Sequence, residues 1–289
     1  MEKYYRFAGL ELAAALPDSV DYVDDGILTP FRAQTVTDPH RFSFEVVEEL
    51  TAPTGTPLAV LPEYVVYGTT RDQVRYLKTS GGDWQTSPMR VTHRRKEHHV
   101  QLCSSAYKKG LTPKTLLNAC ATEHLVAQIG GFVFHTAYIS WEGGAILFTA
   151  PSGTGKSTQA ELWRSLRCAE VINGDRAVVR VAGDQVLAEG IPFSGSSQIC
   201  KNRSLPIKAI VYLAQAPVTS ISRLTGARAF ARIWEGISVN VWDSEDMELV
   251  SATVQQVIQS VPVYYLPCTP DESAVAALEQ QLRKQECVW

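Results

Sequence analysis

The residues best suited to chemistry sit in one run, Ala150-Pro151-Ser152-Gly153-Thr154-Gly155-Lys156-Ser157. Two glycines one residue apart let a backbone curl until successive N–H groups converge on an anion. A lysine and a serine at the mouth of a helix add a cation and a metal-ligating hydroxyl. The apolar run 145–149 predicts a strand ahead of the turn, and 158–166 predicts a helix after it. Strand, glycine turn and helix are the context that a phosphate-binding loop requires. Its usual first glycine is Ala150 here, and alanine has almost no side chain to clash. Ser152, Gly153, Thr154, Gly155, Lys156, Ser157 and Thr158 are therefore the candidates to hold the phosphates of a nucleoside triphosphate. Lys156 would reach the β- and γ-phosphates, and Ser157 would ligate Mg²⁺.

Phosphoryl transfer needs a metal ligand beyond the loop serine and a base or positioning group for the attacking oxygen. Asp175 answers this, nineteen positions after Lys156, where the apolar run Val171-Ile172 gives way to Asn173-Gly174. Strands of such sheets bring their C-terminal ends to the edge that carries the loop, so Asp175 can ligate Mg²⁺ or accept the proton of an attacking hydroxyl. Further along, 190–203 is rich in small polar residues and carries Lys201 and Arg203, either of which could meet charge on the moving phosphoryl group. A lone histidine such as His135, after Phe132-Val133-Phe134, is by itself more often a core or edge residue.

These residues need a scaffold, and the pattern predicts an α/β (α+β) protein in two parts. Residues 1–111 read as β-rich, an antiparallel sheet of short hairpins punctuated by Gly81-Gly82-Asp83. Residues 112–289 carry the catalytic elements. A helix is expected over 112–128, with Thr112 as cap and Pro113 in its first turn. Strands follow at 132–135 and 137–141, with a hairpin turn at Glu142-Gly143-Gly144 before the loop strand. Another strand is expected at 207–213, helices at 225–234 and 244–259, a last strand at 263–266, and a terminal helix from Thr269 to Lys284. The basic cluster His93-Arg94-Arg95-Lys96 with His98 and His99 reads as a solvated hairpin end, or else as a contact for an acidic peptide or a phosphate.

Composition sets the outer bounds. The 289 residues carry a formal net charge of −3, which gives no global attraction to nucleic acid or to an anionic membrane. No apolar run approaches the ~20 residues of a membrane helix, and Met1-Glu2-Lys3-Tyr4-Tyr5-Arg6 is unlike a signal peptide. Six scattered cysteines, with no C-x-x-C pair, point to reduced thiols in a cytoplasmic protein.

From His135 to Ser157, the pattern of histidine, strand, glycine turn, strand and Pro-Ser-Gly-Thr-Gly-Lys-Ser resembles the catalytic domain of bacterial HPr kinase/phosphorylase. The strand that meets Asp175 and the segment Glu189-Gly190-Ile191-Pro192-Phe193 are similar to later elements of that family. The resemblance spans roughly residues 130 to 275. The first hundred residues are unlike that family's N-terminal domain, so the chain looks more like the broader group of HPr-kinase-related proteins. Some of these accompany peptide-modification clusters. The resemblance implies a fold like that of phosphoenolpyruvate carboxykinase, a mixed sheet carrying the phosphate loop. It implies phosphate binding by 152–157, metal and proton-transfer roles near Asp175, and a catalytic or substrate-phosphate role for His135. It also places the loop with Arg203 where the family closes over its acceptor. Two positions depart from the family: Thr158 stands where a glutamate is usual, and Gly174 where the first of two aspartates is usual. That family forms hexamers, which leaves a homo-oligomer open.

The function expected is an ATP- and Mg²⁺-dependent kinase acting on a hydroxyl of a peptide, a protein or a small molecule. The β-rich region could hold a peptide by strand addition, which favours a peptide or protein serine. A nucleotide-dependent switch ATPase without an acceptor, and a nucleotide-binding regulator without catalysis, are the rivals.

Overall fold

The computed structural model describes residues 1–69, 71–78, 83–107, 110–195 and 197–286, with residues 285 and 286 by their backbone alone. Gly81 and Gly82, Ser196 of the loop and Cys287 lie outside the described residues. The chain divides into two compact units, Met1–Thr122 with Val241–Glu245, and Glu123–Asn240 with Asp246–Trp289. Both sheets are mixed, and neither closes into a barrel.

The first unit is one eight-stranded sheet built from β1 (Glu2–Phe7), β2 (Leu10–Ala15), β3 (His40–Val47), β4 (Ala59–Val60), β5 (Tyr64–Gly68), β6 (Asp72–Leu77), β7 (Met89–Arg94) and β8 (Glu97–Cys103). Strands β4 to β8 form the expected antiparallel ladder. Strand β3 departs from it and runs parallel to both β2 and β8. Parallel partners need long crossovers, and residues 16–39 and the whole β4–β7 excursion supply them. The basic hairpin is not uniformly solvated. The pleat turns His93 and His98 inward while Arg94, Arg95, Lys96 and His99 face solvent. The His98 ring stacks on Phe42, with centroids 4.3 Å apart, and its nitrogens lie 3.0 Å from those of His40 and His93.

The helix expected over 112–128 is two helices, α1 (Pro113–Ala119) and α2 (Thr122–Ala127). Ala121 takes φ +48° between them, a left-handed turn that no right-handed helix accommodates.

The second unit continues with β9 (Gly131–His135), β10 (Ala137–Trp141), β11 (Gly144–Thr149), α3 (Lys156–Arg167), β12 (Glu170–Asn173), β13 (Arg176–Ala182), β14 (Gln185–Glu189) and β15 (Ser204–Gln215). Then follow β16 (Ser222–Leu224), α4 (Gly226–Trp234), β17 (Ile237–Ser238), α5 (Ser244–Ser260), β18 (Val263–Cys268) and α6 (Glu272–Glu286). The ten-stranded sheet runs β12-β10-β11-β15-β14-β13-β9-β17, with β18 beside β15 and β16 beside β18.

Strand β15 is the pivot. Its start pairs with β14 (Ala188↔Leu205), and its later part lies parallel between β11 and β18. Such strands are buried on both faces and read as continuous apolar runs. On one face Ile146, Phe148, Ala209 and Val211 pack with Trp163 of α3 and Leu278 of α6. On the other, Ala145, Leu147 and Ile210 pack with Ile233 of α4 and Val250 and Val254 of α5. The two layers fix the C-terminal ends of β11 and β15 at one edge. Among the described residues no helix is long and apolar enough to cross a membrane, and Cys103, Cys120, Cys168 and Cys268 are free thiols.

Candidate functional site

The glycine turn leaves β11 at that edge and opens α3. Gly153 and Gly155 take φ +77° and +121°, and a Cβ on either would meet nothing within 4 Å. Backbone angle alone demands glycine here, and the space above the turn is open. The amides at the start of α3 have no intrahelical acceptors, so the turn presents donors and the positive end of the helix. Trp163, fully buried, ties α3 to the sheet by an edge-on contact with Trp141, centroids 5.0 Å apart. Lys156 is only 7% exposed. Its Nζ folds back over the turn and donates to the carbonyls of Ala150 (2.9 Å) and Pro151 (3.4 Å). Burial lowers its pKa, and the nearby Asp175 charge opposes that shift. Ser152, Ser157 and Thr158 are exposed.

Asp175 lies in the two-residue link between β12 and β13, and β13 pairs with β9 so that Arg176 sits opposite His135. One Asp175 oxygen is 3.5 Å from His135 Nε2, and the other is 3.4 Å from Arg176 Nε. The Asp175 carbonyl accepts from Thr136 N (3.0 Å). Lys156, His135, Asp175 and Arg176 thus form one electrostatic group. Burial, then the Lys156 charge, push His135 below the ordinary 6.5 of an imidazole, and Asp175 pulls the other way. The shift favours the neutral ring, which can accept a proton. Because folding lowers this pKa, the contribution of His135 to stability is present above pH 6.5 and is lost as pH falls through the lower folded value. A ¹H–¹⁵N titration is expected to place the His135 midpoint below 6.5 and to raise it in Lys156→Met, which removes one of the two depressing causes. An unmoved midpoint would remove Lys156 from the group.

Asn173 holds this link in place. It is fully buried, and its Oδ1 accepts from the amides of Asp175 (2.9 Å) and Arg176 (3.0 Å). Its Nδ2 donates to the carbonyls of Phe193 (2.7 Å) and Ile191 (3.3 Å), on the following loop. Asn173→Ala strips partners from both sides, and each buried group left unpaired costs about 1–3 kcal/mol. The expected net loss is about 2–4 kcal/mol, read as a lower urea midpoint with an unchanged slope.

The loop beyond β14 folds back along β12. A Cβ on Gly195 would come within 3.0 Å of the Asp175 side chain, and one on Gly174 within 2.5 Å of Ser197 Oγ. Asn173 bridges to Cys200, and Lys201 N donates to Ile172 O (3.0 Å). Gly195 therefore lies against Asp175 and Ser197 against Gly174, and the chain then moves away along β12. Lys201 pairs with Glu170 at 2.8 Å, and the Arg203 charge also lowers the pKa of Glu170. Glu170 stands five residues before Asp175, roughly 16 Å along an extended strand. The structure thus brings Lys156, His135 and Asp175 together and leaves Arg203 at the far end of β12. The antiparallel return of the loop is the physical reason.

Three residues at this edge are invisible as a motif. Asn173 reads as a turn residue, and its role appears only through its four partners. Arg176 has one hint, its place next to Asp175. Arg232 lies on α4, stacks over Tyr212 at 4.7 Å and donates to Glu235 at 2.8 Å, while the Tyr212 hydroxyl donates to Glu235 at 2.6 Å. Arg232 and Tyr212 line a cavity of about 480 Å³ that reaches Ser152 and Gly153. A second cavity, of about 610 Å³, shares Gly153 and Thr154 with the first and is lined further by Gln159 of α3 and by residues at and just beyond the ends of β15 and β18.

No curated protein matches the chain. Among solved structures, that of the Hpr(Ser) kinase/phosphatase from Coxiella burnetii aligns with 54% of this chain and 90% of its own, at 11% identity and a TM-score of 0.30. That overlap is too slight to carry an argument. Residues 115–280, more than half of the chain, match the sequence model of the SynChlorMet cassette protein ScmC. The chain therefore belongs to the ScmC family.

Proposed function

We propose that this protein is a phosphotransferase that moves the γ-phosphoryl group of ATP to a hydroxyl, first of all a serine of a peptide or protein. The observation that carries this is the shared edge: an open glycine turn at the head of α3, with Lys156, Asp175 and His135 within electrostatic reach of one another. The amides of 152–157 cradle the phosphates, and Lys156 leaves the Ala150 and Pro151 carbonyls to meet the β- and γ-oxygens. Exposed Ser157 and partly exposed Asp175 offer the hard oxygen donors that suit Mg²⁺. Bound there, Mg²⁺ would neutralise charge on the β- and γ-phosphates. The acceptor hydroxyl gives its proton to Asp175 or to neutral His135, its oxygen bonds to the γ-phosphorus, and ADP leaves. Gly195, close against Asp175, marks the side from which an acceptor would be held.

Seryl peptides, proteins and small hydroxyl compounds, offered separately with γ-labelled ATP, test this. Acid-stable label on serine supports the reading. Label confined to a small compound overturns the choice of a peptide or protein, and label on none of them overturns the kinase.

A further inference from the structure

The cavity of about 610 Å³ beside the turn is of ligand size. It shares Gly153, Thr154 and Gly155 with the loop, so a ligand whose phosphates lie on the turn can extend into it. Leu213, Ala216, Pro217 and Pro270 give apolar walls of the kind on which a flat ring packs. One polar group in its lining is out of balance. Gln159, in the first turns of α3, is 2% exposed, and its Nε2 donates to Sγ of Cys268 (3.5 Å), which also lines the cavity. Its Oε1 is buried and finds no donor among the described residues. Buried acceptors are nearly always satisfied, so one left bare beside a cavity points to a donor that a ligand brings.

We infer that this cavity takes the nucleobase and that Gln159 selects adenine. This rests on the phosphate-loop reading above. Adenine carries an amino group at C6, a donor for Oε1, while guanine and hypoxanthine carry an oxygen there, an acceptor against an acceptor. Cys268 supports the orientation: by occupying Nε2 it leaves Oε1 for the ligand. Thr158 also lines this cavity and brings no carboxylate to compete for the amino group.

The test is equilibrium binding of ATP, ITP, GTP and inorganic tripolyphosphate, each with Mg²⁺, to the full chain and to Gln159→Leu and Lys156→Ala. ITP differs from ATP at the purine C6 in the needed way, so the wild-type comparison stands even if the leucine variant misfolds. ATP is expected to bind wild type about tenfold tighter than ITP or GTP, the worth of one hydrogen bond. Gln159→Leu should bring ATP to the level of ITP and leave tripolyphosphate unchanged. Equal affinity for ATP and ITP, with tripolyphosphate binding lost in Lys156→Ala, would overturn the base assignment and keep the loop. Binding of no triphosphate would overturn both.

Discussion

Lys156→Ala is expected to lower kcat/KM for phosphoryl transfer by at least about 10²–10³-fold, the effect of deleting one preorganised donor from a developing anion. Three features support so large a value. The Lys156 side chain is almost wholly out of water, where a charge interacts more strongly than at the surface. Burial already lowers its pKa, so an approaching phosphate relieves a cost the folded protein carries. No other described lysine or arginine stands on the turn or in the first turn of α3. Its partners in this state are two backbone carbonyls, so the alanine variant loses contacts worth little to the fold. Thermal unfolding should move by only a few degrees while transfer collapses. Loss of folding along with activity would instead make Lys156 a structural residue.

The second large effect is expected from Asp175→Asn, which keeps shape and removes charge. General base catalysis contributes about 10²–10⁴-fold, and a lost metal ligand falls in the same range, so transfer should drop by about that factor. A second readout separates this from a local packing defect. Asp175 raises the pKa of both His135 and Lys156, so its neutralisation should lower the His135 titration midpoint further. Asn173 sets the Asp175 backbone through two amide hydrogen bonds that the substitution leaves alone, so the link should keep its place. Reduced transfer with an unmoved His135 midpoint would mean that Asp175 does not act through this group.

Much of the second unit is legible from local pattern. The loop is contiguous, its flanking strand and helix are strongly patterned, and β11, β15 and α3 fall within a few residues of expectation because burial on both faces leaves long apolar runs. What escapes is what depends on distant chain. The parallel placement of β3 follows from crossovers that alternation cannot report. Ala121 breaks a helix that its side-chain spacing favours. His93 and His98 turn inward in a hairpin whose composition looks solvated. The antiparallel return of the loop along β12, which sets Arg203 beside Glu170, is likewise invisible to local pattern. Asn173, Gln159 and Arg232 carry no motif, and each has a partner far along the chain: Phe193, Cys268 and Tyr212.

The most direct measurement is transfer from γ-labelled ATP with Mg²⁺ to a seryl acceptor, compared across wild type, Lys156→Ala and Asp175→Asn. The account predicts label on the acceptor with wild type and at least about 10²-fold less with either variant. Label released only as free phosphate whatever acceptor is offered, or transfer by both variants at the wild-type rate, would contradict it.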